Sequence, residues 1–246
     1  MRKVYLLPNI VTTANLFCGF YSVVASIHHN FVAAAWAVVA ASFFDMLDGR
    51  IARLARATSN FGIEYDSLSD LISFGIAPAI LMYQWALNPF GRYGWLIAFF
   101  FLMCGALRLA RFNVLSDILP SGYFQGVPIP TAAGAIVTFV IFNNETMWLA
   151  DTNLSYFSAG LVFCLGCLMI STIRFSSFKE INWRSKSTFG YFLLGILSVV
   201  LIALRPQVTL FLLLVLYIVL SVFLDLIRVM RSKSFLAVFG LGRKTR

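Results

Sequence analysis

The stretch FVAAAWAVVAASFFDMLD, residues 31–48, decides the fold. Its first fourteen residues carry no charge, and its last four contain two aspartates, Asp45 and Asp48. Eighteen residues in a helix rise about 27 Å at roughly 1.5 Å each. That is close to the hydrocarbon thickness of a bilayer, about 30 Å. The apolar residues neither alternate nor form a narrow stripe, so the segment reads as a membrane span with acids at one end. Similar runs lie on both sides of it. Eight candidate spans emerge, at roughly 10–28, 31–48, 63–87, 92–112, 129–148, 154–173, 188–204 and 207–230. Turn signals separate several of them: His28-His29-Asn30, Asn88-Pro89-Phe90-Gly91, Pro128-Ile129-Pro130 and Arg205-Pro206.

Composition agrees. Of 246 residues, 60% are hydrophobic and only 12% charged, about half the charged share of a soluble domain. Mean hydropathy is +0.86. The expected fold is an all-α polytopic bundle forming a single membrane domain over residues 1–246, with both termini cytoplasmic. The net charge of +9 raises the question of nucleic acid as a partner, and charge placement answers it. With eight spans alternating from a cytoplasmic N-terminus, Arg2, Lys3, Arg50, Arg53, Arg56, Arg108, Arg111, Arg174, Lys179, Arg184, Lys186, Arg228, Arg231, Lys233, Arg243, Lys244 and Arg246 fall inside. Only Arg92 and Arg205 fall outside, so 17 of the 19 basic residues are cytoplasmic. The excess positive charge is thereby explained without nucleic acid, and the inner cell membrane is the expected location. The connector 174–187 interleaves basic and apolar residues, which suits either a short interfacial helix or a plain loop.

Cys18, Cys104, Cys164 and Cys167 all lie in apolar segments. Cys164 and Cys167 have CxxC spacing, but no second pair or nearby His completes a zinc site. The N-terminus shows no cleavage pattern, so the first apolar segment is expected to be retained. His28 and His29 fall in an outer loop.

The acids are concentrated. Five of the ten, Asp45, Asp48, Glu64, Asp66 and Asp70, lie within 26 positions, near the cytoplasmic ends of the second and third spans. A charge at mid-membrane costs at least about 2.5–3.5 kcal/mol, so such residues face a cavity, an ion or a partner. Asp45 and Asp48 are three apart, Asp66 and Asp70 four apart; each pair shares a helix face. A short loop can turn the two faces together, and four converging carboxylates call for divalent metal. Oxygen ligands alone favour Mg²⁺, Mn²⁺ or Ca²⁺ over zinc. Gly49, Ala52 and Gly62 leave room beside the acids, and Arg53 and Arg56 add positive charge. Together these residues suit a diphosphate substrate. Ion pairs fixing helix ends explain one aspartate well and four poorly. Glu64 is expected to be peripheral, and Asp225 to pair with Arg228.

Asp45, two residues, Asp48-Gly49, two residues, Ala52-Arg53, eight residues, Gly62, three residues, Asp66, three residues, Asp70 resembles the signature of the CDP-alcohol phosphatidyltransferases, with every fixed position met. The resemblance implies that Asp45, Asp48 and Asp66 are metal ligands, with Asp70 contributing to the second of two Mg²⁺ or Mn²⁺ ions. It implies that Asp70 is also the general base, and that Asp48, Gly49, Ala52, Arg53 and Gly62 line the CDP moiety. It further implies a six-helix core, here about residues 5–173, followed by a connector and two C-terminal spans, and a homodimer.

Four further segments resemble the branch that uses CDP-diacylglycerol and L-serine: Leu7-Pro8-Asn9 through Asn15-Leu16-Phe17-Cys18-Gly19, Asp66 through Pro78, Gly105 through Asn113, and Phe124 through Pro130. What this implies is transfer of a phosphatidyl group from CDP-diacylglycerol to the serine hydroxyl, giving phosphatidylserine and CMP. Arg108 and Arg111 are three apart and can share a face. They suit a carboxylate or a phosphate, with Asn113 beside them. Membrane anchoring is the alternative role for both arginines. Another alcohol, glycerol phosphate or inositol, or an ether-lipid donor would need the same chemistry. A cation transporter would instead place acids near the bilayer midplane in repeated halves, and no repeat is evident.

Overall fold

The long apolar runs fold as helices. The computed structural model describes residues 6–54, 59–115, 123–176 and 203–238. In chain order the helices are α1 (Leu6–Ile27), α2 (Phe31–Leu54), α3 (Asn60–Asp70), α4 (Ala77–Met82), α5 (Arg92–Leu115), α6 (Ile129–Thr146), α7 (Asp151–Ile170) and α8 (Pro206–Val238). Six stretches are long and apolar enough to cross a membrane: Pro8–Ile27, Phe31–Ile51, Asn60–Phe90, Arg92–Val114, Thr152–Ile170 and Pro206–Arg228.

Helix α6, 18 residues long, packs against α2, α7 and α8. Ala132, Ala133, Ile136, Val137, Phe139 and Val140 on α6 are fully buried. Its last turn is polar, Asn143-Asn144-Glu145-Thr146. Among the described residues there are thus six spans plus α6, where eight spans were expected. The expected span at 188–204 lies almost wholly outside the described residues, as does most of the 174–187 connector.

A tight turn joins α1 to α2. His29 takes a left-handed φ of 58°, and Asn30 donates its backbone N–H to the Ala25 carbonyl at 2.9 Å. His28 and His29 are exposed there, as expected of loop residues.

The third span is not one uniform α-helix. A π-helical segment, Leu71–Ile76, separates α3 from α4, and a second, Tyr83–Leu87, leads to a 3₁₀ turn at Asn88–Phe90. Pro78 supplies a physical reason for the first. It has no N–H, and its ring crowds the carbonyl four residues back. The wider turn just before it is closed by the Ala77 N–H on the Ile72 carbonyl. Apolar runs do not reveal such local unwinding.

One departure from an all-helical chain was not expected. Tyr123–Gln125 (β1) and Arg174–Ser176 (β2) pair antiparallel, with Phe124 opposite Phe175. Gly126 follows at φ 78°. Its N–H bonds the Ile173 carbonyl at 2.9 Å, and the Val127 N–H bonds the Leu168 carbonyl at 3.2 Å. A side chain at Gly126 would run into the Met169 carbonyl.

Candidate active site

Helix α2 runs past its acids to Leu54, so Asp48 lies nearly two turns inside the helix rather than at its end. Helix α3 starts afresh at Asn60. Ser59 caps it, with the Gly62 N–H donating to Ser59 Oγ at 3.1 Å. That cap sets the phase of α3, placing Asp66 and Asp70 in its second and third turns.

The two helices bring the acids together as the spacing predicts. Asp45, Asp48 and Asp66 each offer a carboxylate oxygen, and the three oxygens lie within 4.8 Å of one another. Asp70 stands beside this trio, against Asp45 and within hydrogen-bonding reach of it. Asp48 and Asp70 are buried, 4% and 9% exposed. One oxygen of Asp66, Oδ1, is buried with no hydrogen-bond partner among the described residues. Clustered carboxylates repel unless positive charge is supplied. A donor set of carboxylate oxygens, one of them unpartnered, fits a hard divalent cation such as Mg²⁺ or Mn²⁺.

Helix α1 contributes residues that the sequence did not single out. Thr12 Oγ1 lies 2.9 Å from Asp48 Oδ2 and donates to it, sharing that hydroxyl with the Pro8 carbonyl at 3.2 Å. Asn15 Nδ2 donates to Asp70 Oδ1 at 3.1 Å. Hydrogen bonds also return to the same two residues: Ser69 Oγ donates to the Thr12 carbonyl at 3.1 Å, and Ser73 Oγ to the Asn15 carbonyl at 3.0 Å. Gly19, one helical turn beyond Asn15, lies so close to Ser73 that a Cβ would overlap it. Polar residues three apart in an apolar span were the available signal for Thr12 and Asn15.

The structure separates the polar trio of α5. Arg108 is 7% exposed, and its Nε has no hydrogen-bond partner among the described residues. It is close enough to Asp70 and Arg111 for their charges to interact. Arg111 donates to the Ile170 carbonyl at 3.2 Å and the Met169 carbonyl at 3.5 Å. It therefore binds the last carbonyls of α7, where a cation is favoured. Asn113 Nδ2 donates to Ser67 Oγ at 3.0 Å, tying α5 to α3 between Asp66 and Asp70.

The remaining candidates fall out as follows. A Cβ at Gly49 would meet nothing within 4 Å, so space is open beside it. Gly62 packs toward Asn9, whose Oδ1 a Cβ would meet at 3.8 Å. The side chains of Ala52 and Arg53, and all of Arg56, lie outside the described residues. Glu64 is exposed, and Asp225 pairs with Arg228 at 3.9 Å. All four cysteines are free.

Comparison with known proteins converges on one chemistry. A family model described as CDP-alcohol phosphatidyltransferase matches residues 5–171. A CDP-diacylglycerol–serine O-phosphatidyltransferase of Helicobacter pylori (strain J99) is 39% identical over 206 residues, covering 84% of this chain and 85% of the relative. One of the same name from Bacillus subtilis is 35% identical over 175 residues, 71% of this chain and 92% of the relative. An archaetidylserine synthase of Methanothermobacter thermautotrophicus is 36% identical over 171 residues, 69% of each chain.

Proposed function

The chain belongs to the CDP-alcohol phosphatidyltransferase family, and from that premise we propose that it transfers the phosphatidyl group of CDP-diacylglycerol to the hydroxyl of L-serine, releasing CMP. The observation that carries the reading is the meeting of Asp45, Asp48 and Asp66 within 4.8 Å, with Asp70 beside them. The names of its relatives, bacterial and archaeal, support serine as the acceptor.

Asp45, Asp48 and Asp66, with Asp70 shared toward a second site, would hold two Mg²⁺ or Mn²⁺ ions, which when bound supply positive charge to the diphosphate and the departing phosphate. The residues do the rest. Asp70 takes the proton of the serine hydroxyl as that oxygen attacks the lipid-side phosphorus. The bond from that phosphorus to the bridging oxygen breaks, and CMP leaves with the electron pair. The open space beside Gly49, with Gly62, Ala52 and Arg53, receives the CDP moiety.

Arg108 is the residue of its trio best suited to an anion. It is a buried cation whose Nε has no partner among the described residues, and a guanidinium matches a carboxylate with two parallel hydrogen bonds. Arg111 and Asn113 support it by holding α5 against α7 and α3. The site faces the cytoplasm in this proposal, supported by the 17 basic residues assigned to that side. A homodimer in the inner cell membrane completes it.

The test is an acceptor screen. Purified protein in CDP-diacylglycerol micelles receives labelled serine, glycerol phosphate or inositol in turn. Serine incorporation should exceed the other two by at least about tenfold, with CMP released in equal amount. Preference for either rival overturns the acceptor assignment. The archaeal relative supports a second donor reading, and an ether-linked CDP lipid in the same assay checks it.

A further inference from the structure

The proposed mechanism uses carboxylates from α2 and α3 and leaves α1 without a role. Yet α1 donates hydrogen bonds to two of them, Asp48 and Asp70. Asn15 is 0% exposed, and its Nδ2 donates to Asp70 Oδ1 at 3.1 Å. A carboxylate only accepts hydrogen bonds, so the amide must turn its nitrogen toward Asp70. Its own oxygen, Oδ1, is then left buried with no hydrogen-bond partner among the described residues. An unpaired buried acceptor is destabilising. An apolar residue of similar size would remove that orphan but would also strip the buried Asp70 Oδ1 of its donor, so the contact matters through the carboxylate it holds.

We propose that Asn15 is a positioning residue for the transfer reaction. Its amide holds one oxygen of the Asp70 carboxylate and leaves the other aimed at the acceptor hydroxyl. This rests on Asp70 acting as the base. The surroundings give the amide little freedom. Ser73 Oγ bonds the Asn15 carbonyl at 3.0 Å, and Gly19 admits Ser73 at a distance that a Cβ would forbid. The α1 backbone is thus pinned to the π-helical turn that directly follows Asp70. The amide and the carboxylate it holds belong to one rigid unit. A carboxylate freed from that bond can rotate about its side-chain bonds, and misaligned proton transfer slows the chemical step. A residue that acts only through Asp70 changes the chemical step and leaves substrate affinity untouched.

The experiment compares Asn15→Leu and Asn15→Gln with the unaltered protein, purified in detergent. Initial rates are measured against serine and against CDP-diacylglycerol, with thermal unfolding of each sample in parallel. Asn15→Leu should lower kcat roughly 10- to 100-fold with both KM values within twofold, in protein that thermal unfolding shows to be fully folded at the assay temperature. Asn15→Gln keeps a donor and should recover at least about threefold of that loss. An Asn15→Leu protein with unchanged kcat overturns the proposal, as does a loss confined to KM or to stability. A Gln variant no better than Leu overturns it as well. Asp70→Asn, run beside them, separates the two claims. If Asp70→Asn is inactive while Asn15→Leu works normally, only the positioning role fails. If Asp70→Asn works normally, the base assignment itself fails.

Discussion

A single carboxylate carries the chemistry proposed here, and residues around it can be distinguished by what each would lose. Replacing Asp70 with Asn keeps size and polarity but removes the base. General base catalysis contributes roughly 10²–10⁴-fold, so labelled-serine incorporation should fall by that factor. Arg108→Ala removes a buried cation whose Nε has no partner among the described residues. A hydrogen bond to a charged group contributes about 1.5–3 kcal/mol, which corresponds to a rise of roughly 10- to 100-fold in one KM. The substrate whose KM rises identifies the ligand of Arg108: serine if it binds the carboxylate, CDP-diacylglycerol if it binds the phosphate. At this scale the sequence was highly legible for acids. Asp45, Asp48, Asp66 and Asp70 meet as their i, i+3 and i, i+4 spacing demands. It was less legible for Arg108, Arg111 and Asn113, which look alike as polar residues near a span end. Only packing shows that Arg111 is engaged with the end of α7 and Asn113 with Ser67.

Elements bring these residues together, and here sequence reading reached less far. Long apolar stretches name the spans but carry no record of a helix that changes its turn. The π-helical segment Leu71–Ile76 follows Asp70 directly and was hidden inside a continuous apolar run. The ribbon of β1 and β2 was hidden for another reason. Its strands are three residues each and 49 positions apart, counting from Gln125 to Arg174, too short for a periodic pattern and too distant for a hairpin signal. Its glycine is testable. Gly126→Ala forces a φ of 78° on a residue with a Cβ and drives that Cβ into the Met169 carbonyl. Strain of this kind costs about 1–3 kcal/mol. The variant should unfold at lower temperature in detergent while the clustered carboxylates keep their spacing. A Gly126→Ala protein as stable as the parent would contradict the account.

At the level of the whole molecule, the proposed ions make a prediction about stability as well as rate. A ligand that binds only the folded state stabilises it by RT ln(1 + [L]/Kd), about 2.7 kcal/mol at a hundredfold excess over Kd. Mg²⁺ or Mn²⁺ should raise the unfolding temperature of chelator-treated protein and restore its activity, and Asp66→Asn should abolish the thermal effect. No upward shift with either ion would sink the metal assignment. Topology is checked separately. Single cysteines at exposed His29 and Leu54, in a background without the four native ones, should react with an impermeant thiol reagent from opposite faces of the membrane. Labelling of both from one face would contradict the charge-based orientation.

The hydrogen bond between Thr12 and Asp48 also bears on how the protein is made. Its two ends lie on α1 and α2, which a tight turn joins into a helical hairpin. That hairpin is complete once the ribosome has added residue 54. A hairpin formed at that stage would give Asp48 a polar neighbour before α3 exists. If assembly follows the order of synthesis, the Thr12–Asp48 pair forms first, and the hairpin then offers α3 a surface on which Ser69 and Ser73 find their acceptors.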